Sequence, residues 1–394
     1  MRTLRCLHCI TDDKKFINDI IKSFSTEAQN SENFFAFVNK THPTEKITCQ
    51  LLSSGVIQFI HTDEFLSRIN EWNIHIIFLH SIFSLPLNII PLIPPKIKVV
   101  WFGWGSDIYE QPNLLFPFIK IKNFYHKKTL RYLMSKKTVL KEYLSSLLYY
   151  PKNEKLKKRI LQRIDYFSGV LNNEFDLMRS NNSSFRACRL EYTYDNANTP
   201  ICKQNIDTDY SISDNILIGN SANPANNHLD ILDKLKTLNL NNKKIYIPLS
   251  YGGDPNYKLI VKKTGKKIWG SNFITLETFM PYEEYKSTVL NCGNVIMFHE
   301  RQQAMGNILV SLWYGAKVFL SESSVSYTYL KSIGCKIFSI QKDLDETQLT
   351  SRLTRGEIMA TRKILVSLRT WERRINLVKN IYVTLEADIK SQIK

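Results

Sequence analysis

At 394 residues the chain is too long for one ordinary hydrophobic core, which predicts two domains. Its 43% hydrophobic and 12% aromatic content excludes a disordered chain. Its formal charge of +17 favours an anionic partner.

Met1 to Ile10 is a short strand-like run followed at once by polar Thr11-Asp12-Asp13-Lys14-Lys15, with no signal-peptide pattern. The chain is then expected to run as strand Thr3–Ile10, helix Lys14–Ser25, strand Phe34–Val38, strand Val56–Ile60 and helix Asp63–Asn70. Ile74 to Leu79 reads as a buried parallel strand, with His80 and Ser81 at its carboxyl end. Pro86, Pro91, Pro94 and Pro95 interrupt the long apolar stretch beyond it, so no run reaches the roughly 18–20 residues of a membrane span. Strand Lys98–Phe102 then ends in Gly103-Trp104-Gly105-Ser106-Asp107-Ile108-Tyr109-Glu110. Repeated β and α segments imply an open parallel sheet of Rossmann type, whose ligands bind at carboxyl strand ends. Asp13, His80 and Asp107 all fall at such ends.

Charge is concentrated in the next stretch. Between Asn113 and Arg163 there are 14 Lys or Arg against two acids, Glu142 and Glu154, a net +12. Leu, Phe, Tyr and Ile are interleaved with these cations, as in amphipathic segments that lie on an anionic membrane. A nucleic-acid patch and a plain solvated face are the competing readings. The seven cysteines, Cys6, Cys9, Cys49, Cys188, Cys202, Cys292 and Cys335, are odd in number and scattered, which fits reduced cytosolic thiols. Cys6 and Cys9 share C-x-x-C spacing, but they sit inside a strand and lack a second ligand pair, so buried inert thiols are expected.

Strand Tyr166–Val170, helix Asn172–Met178 and strand Cys188–Tyr194 close the first half. Asp195 to Asp214 has no clear periodicity and reads as a linker. It contains Asp207-Thr208-Asp209, but a metal-binding D-x-D needs a strand end, so no metal is expected.

A second β/α series starts at Asn215–Ile218. Gly219 to His228 is small and polar and leads into helix Leu229–Leu238. Strand Lys244–Leu249 ends in Ser250-Tyr251-Gly252-Gly253-Asp254, and Phe273–Thr275 leads to Pro281-Tyr282 and a helix ending near Asn291. Strand Asn294–Phe298 meets His299-Glu300-Arg301-Gln302-Gln303-Ala304-Met305-Gly306-Asn307, then an apolar helix, Gly315 and strand Val318–Leu320. An arginine, carboxamides and a glycine at a helix N-terminus suit a diphosphate, because free N–H groups and the helix dipole favour anions there. Thr347 to Ile393 is expected to be largely helical, with Trp371 as a packing anchor.

Four blocks carry a family resemblance: Trp104 to Glu110, Gly219-Asn220-Ser221, Pro248 to Tyr251, and Arg301-Gln302-Gln303 with Gly306. In type and order they resemble the bacterial TDP-N-acetylfucosamine:lipid II N-acetylfucosaminyltransferases, glycosyltransferase family 56. The resemblance implies a GT-B fold, two Rossmann-like domains facing across a cleft. It also implies transfer of 4-acetamido-4,6-dideoxygalactose from a TDP-sugar to a polyprenyl-diphosphate-linked saccharide in enterobacterial common antigen synthesis. The early H-x-x-G-S-D block of the family is not kept, since Cys9-Ile10-Thr11-Asp12-Asp13 follow His8. The loop beyond Ser221 also differs, so another 6-deoxyamino sugar or an O-antigen acceptor stays open.

On this reading residues 1–200 form the acceptor domain, with segment 113–163 facing the membrane. Residues 201–214 are the linker, 215–365 form the donor domain, and 366–394 return as a helix toward the first domain. The expected donor site is Gly219, Asn220, Ser221, Ser250, Tyr251, Tyr282, Arg301, Gln302, Gln303, Gly306 and Asn307, with no cofactor. Asp107, Asp13 and His80 are the candidate bases, and the alternative for Asp107 is a structural cap. The protein is expected on the cytoplasmic face of the inner membrane, with no nucleic acid as partner. The alternatives are a GT-B enzyme using a UDP- or GDP-sugar, and a non-catalytic basic protein that binds nucleic acid or membrane.

Overall fold

The computed structural model describes residues 3–11, 14–26, 31–39, 57–109, 118–119, 121, 123–136, 154–194, 201, 204–278 and 281–393. The chain divides into two compact units. The first comprises residues 1–120, 144–197 and 370–394; the second comprises 121–143 and 198–369.

The first unit holds a seven-stranded sheet of order β3-β2-β1-β4-β5-β6-β7, parallel throughout. Its strands are β1 Leu4–Cys9, β2 Ser31–Asn39, β3 Ile57–His61, β4 Ile76–Leu79, β5 Lys98–Phe102, β6 Tyr166–Ser168 and β7 Cys188–Arg189. β4 and β5 are buried along their whole length, as unbroken apolar runs require when a sheet is covered on both faces. Helix α1, Lys14–Thr26, buries Ile17, Ile20 and Phe24 at helical spacing against this core. Cys6 and Cys9 are buried free thiols whose pKa values burial raises, as inert core positions should be.

The second unit holds a six-stranded parallel sheet of order β10-β9-β8-β11-β12-β13. These strands are β8 Ile216–Ile218, β9 Ile245–Pro248, β10 Phe273–Leu276, β11 Asn294–Met297, β12 Lys317–Leu320 and β13 Phe338–Ser339. Five helices matter for the site: α2 Lys127–Met134, α3 His228–Leu235, α4 Pro255–Trp269, α5 Met305–Tyr314 and α6 Arg355–Arg369. The last helix, α7 Trp371–Ile393, belongs to the first unit, where Val378, Ile381 and Leu385 join the core around β1 and β4.

Two results differ from the sequence reading. Helix α2, expected with the first domain, groups with the second unit: Asp230 accepts from the backbone N–H groups of Lys128 and Thr129, and Asp233 pairs with Lys128 at 2.6 Å. A carboxylate on the open N–H groups of a lysine-led helix start satisfies both hydrogen bonding and charge. Helix α4 has no counterpart in the sequence reading. Its apolar periodicity is interrupted by Gly265, where a Cβ would lie 2.2 Å from the Phe273 ring.

Candidate functional site

Because β8, β9 and β11 are adjacent and parallel, the loops that follow them emerge at one end of the sheet. Gly219 leaves β8 at φ +66°, where a Cβ would lie 3.0 Å from both Asn226 Oδ1 and His228 Nε2. Only glycine takes this turn without strain. The loop after β9 is pressed on the loop after β8. Ala222 N–H donates to Tyr251 O at 2.8 Å, and a Cβ on Gly253 would lie 2.1 Å from Ala222 O.

Side chains then tie all three loops together. Asn220 Nδ2 donates to the Tyr251 hydroxyl at 2.9 Å, Gln303 Nε2 donates to Asn220 Oδ1 at 2.8 Å, and Arg301 Nε donates to Gln303 Oε1 at 3.0 Å. The network orients both amides, since the oxygen and the nitrogen of each carboxamide have one named partner apiece. Tyr251 stands 53% exposed at one end, whereas Arg301 and Gln302 are buried. Ser221 is held by Asn226, whose amide donates to its carbonyl, and Ser250, next to Tyr251 in the sequence, is half-buried.

Helix α5 begins at the end of this network. Its N-cap, Ala304, adopts φ +57°, no side chain caps it, and its first turn carries no acid. The N–H groups and the positive end of the dipole are therefore open to an anion. Gly306 is exposed with nothing within 4 Å of a would-be Cβ, and Asn307 is half-buried. Tyr282 opens the helix Tyr282–Leu290, and its side chain lies outside the described residues.

One cluster here escapes sequence reasoning. Glu300 is buried, with Oε1 2.7 Å from His126 Nε2 and Oε2 accepting from Ser323 at 2.7 Å. Burial alone would raise its carboxyl pKa, but the partners His126, Ser321 and Ser323 outweigh burial and hold it below the ordinary value. His126 also stacks on Phe298 at 4.1 Å. Nothing in the sequence announces a pairing across 174 positions.

In the first unit, Asp107 is fully buried. Its Oδ2 accepts from Ile82 N–H at 2.9 Å and Trp101 Nε1 at 3.2 Å, and its Oδ1 from Trp104 N–H at 3.0 Å and the Ser106 hydroxyl at 3.2 Å. This caps the helical turn Gly105–Ile108, although burial still raises the pKa to about 6. His80 is also buried. It shares Nε2 with His8 Nδ1 at 3.0 Å and Nδ1 with the Tyr194 hydroxyl at 2.8 Å, and burial followed by His8 lowers its pKa. Trp104 joins the two residues, donating from Nε1 to His80 O at 2.8 Å. Asp13 lies outside the described residues. Among the described residues no cluster of three or more His, Cys, Asp or Glu could hold a metal.

Residues 192–364 match the sequence model of a family described as 4-alpha-L-fucosyltransferase, glycosyl transferase group 56. Solved structures share the fold at low identity. Sucrose-phosphate synthase from Thermosynechococcus elongatus gives a TM-score of 0.61 at 11% identity, over 98% of this chain and 100% of that one. A glycosyltransferase from Rickettsia africae gives 0.58 at 11%, over 99% of each chain. HepE of Anabaena in complex with UDP gives 0.57 at 9%, over 98% of this chain and 100% of that one. With two parallel α/β units, the fold class is GT-B.

Proposed function

Because residues 192–364 match the sequence model of glycosyl transferase group 56, we propose that the chain belongs to this group and moves 4-acetamido-4,6-dideoxygalactose, or a related 6-deoxyamino sugar, from a TDP-sugar to a polyprenyl-diphosphate-linked saccharide. The chain is a GT-B, nucleotide-sugar-dependent glycosyltransferase; the identity of the sugar, nucleotide and acceptor is the proposal. The product would enter enterobacterial common antigen or an O-antigen.

The observation that carries the donor reading is the bonded series Tyr251–Asn220–Gln303–Arg301 across three strand-end loops, leading to the uncapped start of α5. When the sugar's anomeric C–O bond breaks, negative charge grows on the β-phosphate. Arg301, the Gly306–Asn307 end of α5 and the Gly219–Ser221 loop would stabilise it with donors already in place. Tyr251 and Tyr282 are assigned to the base and sugar, with Ser250 and Gln302 completing the pocket.

The acceptor hydroxyl must lose a proton to a group of the first unit. The carboxylate of Asp107 already accepts four hydrogen bonds, and both ring nitrogens of His80 are engaged, so we assign these two to holding the strand ends. Asp13, which follows β1 in the sequence, is the proposed base.

The lipid tail of the acceptor puts the reaction at the cytoplasmic face of the inner membrane. In support, the exposed side of α2 carries Lys127, Leu130, Arg131 and Met134, a basic and apolar mixture suited to anionic headgroups. No described helix is long and apolar enough to cross a membrane.

The test is transfer from TDP-, UDP- and GDP-linked sugars to a synthetic polyprenyl-diphosphate saccharide. Product from the TDP-sugar alone is expected. Product from a UDP- or GDP-sugar instead overturns the nucleotide assignment, and transfer only to free saccharide overturns the acceptor.

A further inference from the structure

Strands β8, β11 and β12 carry the candidate donor site beyond their carboxyl ends. At their amino ends, next to Asp214, Asn294 and Lys317, lies a separate cavity of about 270 Å³ within the second unit. Two of its cations are buried deeply, Arg362 at 2% exposure and Lys317 at 4%. Arg362 donates from Nε to Trp313 O and from Nη1 to Ile206 O and Thr208 O, all at 2.7 Å. Lys317 donates to Gln348 O and Oε1 at 2.9 Å and to Ser351 Oγ at 2.5 Å. Every one of these acceptors is neutral. Buried charges ordinarily have a counter-charge in contact, and among the described residues neither cation forms an ion pair: Asp207 and Asp209 act on Arg362, and Glu357 and Asp345 on Lys317, only from a distance.

The rest of the lining continues the pattern. Arg352 and Arg355 stand exposed at the cavity, and of the two acids in its lining Asp209 lies 3.7 Å from Arg355 in a pair that is mostly in solvent. The other acid, Asp214, is already bound to Lys243. Asn294, 2% exposed, donates from Nδ2 to Asp214 O and Leu349 O at 3.1 Å each, while its buried Oδ1 has no partner among the described residues.

The geometry points to a second ligand site here, for a small phosphomonoester. The phosphate gives Arg362 an anion in direct contact, and Arg352 and Arg355 draw it in. The volume sits near the lower end for ligand pockets, roughly 300 Å³, so the occupant is a single small metabolite and not a nucleotide sugar.

Isothermal titration of the full chain with glucose 1-phosphate tests this, with sulfate as an anion too small to fill the cavity and glucose as the uncharged control. Saturable binding of glucose 1-phosphate is expected, at least tenfold tighter than either control. The double variant Arg352→Ala/Arg355→Ala, altered only at exposed positions, should weaken it at least tenfold. Arg301→Ala, in the donor loop, should leave it within twofold, which separates the cavity from the donor site. Absence of saturable binding, sulfate binding as tightly, or loss in Arg301→Ala with retention in the double variant would each overturn the proposal.

Discussion

Gln303 donates from Nε2 to Asn220 Oδ1 across 2.8 Å, joining the loop after β11 to the loop after β8. That one bond fixes which way both carboxamides face. It leaves Gln303 Oε1 to hold Arg301 and Asn220 Nδ2 to hold Tyr251.

Removing the link should therefore cost donor binding before it costs chemistry. In Gln303→Ala the KM for the sugar donor is expected to rise roughly tenfold, as about 1–2 kcal/mol from one lost bond in a network implies. Gln303→Glu should be worse, since it cannot donate to Asn220 and sets a carboxylate beside a phosphate. Steady-state kinetics of both variants decide it. An unchanged donor KM would separate the network from the donor.

Two glycines should split stability from binding. Gly253→Ala forces a Cβ to within 2.1 Å of a backbone carbonyl at φ +70° and is expected to lower the unfolding free energy measurably. Gly306→Ala meets open space in the first turn of α5, so the fold should be as stable or up to about 1 kcal/mol more stable. Donor affinity should nevertheless fall, because the methyl group occupies the approach to the helix N-terminus. Urea unfolding with donor titration on each variant provides the check.

Asp107→Asn and Asp13→Asn should fail in different ways. An amide at position 107 cannot accept from four donors, so about 1–3 kcal/mol of stability in the first unit is expected to be lost. Asp13→Asn should keep its stability and lose kcat by at least a hundredfold. Near wild-type turnover in Asp13→Asn would remove it as the base.

Acidification should unfold the second unit first. Burial holds His228 at about 3 and His299 at about 4, while unfolded histidine titrates near 6.5. Their stabilising effect is complete above 6.5 and is lost as pH falls toward those values, at about 2.7 kcal/mol per pH unit for two protons. In the first unit His8, at about 3, and His80 act the same way. There, however, burial raises Asp107 to about 6 and Glu174 to about 7, so the folded state takes up protons first and gains stability as pH falls. Hydrogen exchange between pH 6.5 and 4 should show β8, β11 and β12 losing protection before β1, β4 and β5.

The sheet strands were legible because parallel strands buried on both faces leave unbroken apolar runs, as in Ile76–Leu79 and Lys98–Phe102. The strand-end loops were legible through Gly219 and the amides of Asn220 and Gln303. Cys188–Tyr194 promised a longer strand than the two residues of β7, because an edge pairs only where a neighbour is present. Helix α4 was hidden by Gly265, although Asp254 as N-cap followed by Pro255 is a start signal that could have found it. The hydrogen bonds that Ile82 and Trp101 donate to Asp107, and the pairing of His126 with Glu300, depend on residues brought together by folding and leave no local pattern.

The most direct test of the account is calorimetric titration of TDP, UDP and GDP into the wild-type chain and into Arg301→Ala. The prediction is that TDP binds tightest and that Arg301→Ala weakens it at least tenfold. Equal TDP affinity in the two proteins would contradict the placement of the diphosphate against the Arg301–Gln303 loop.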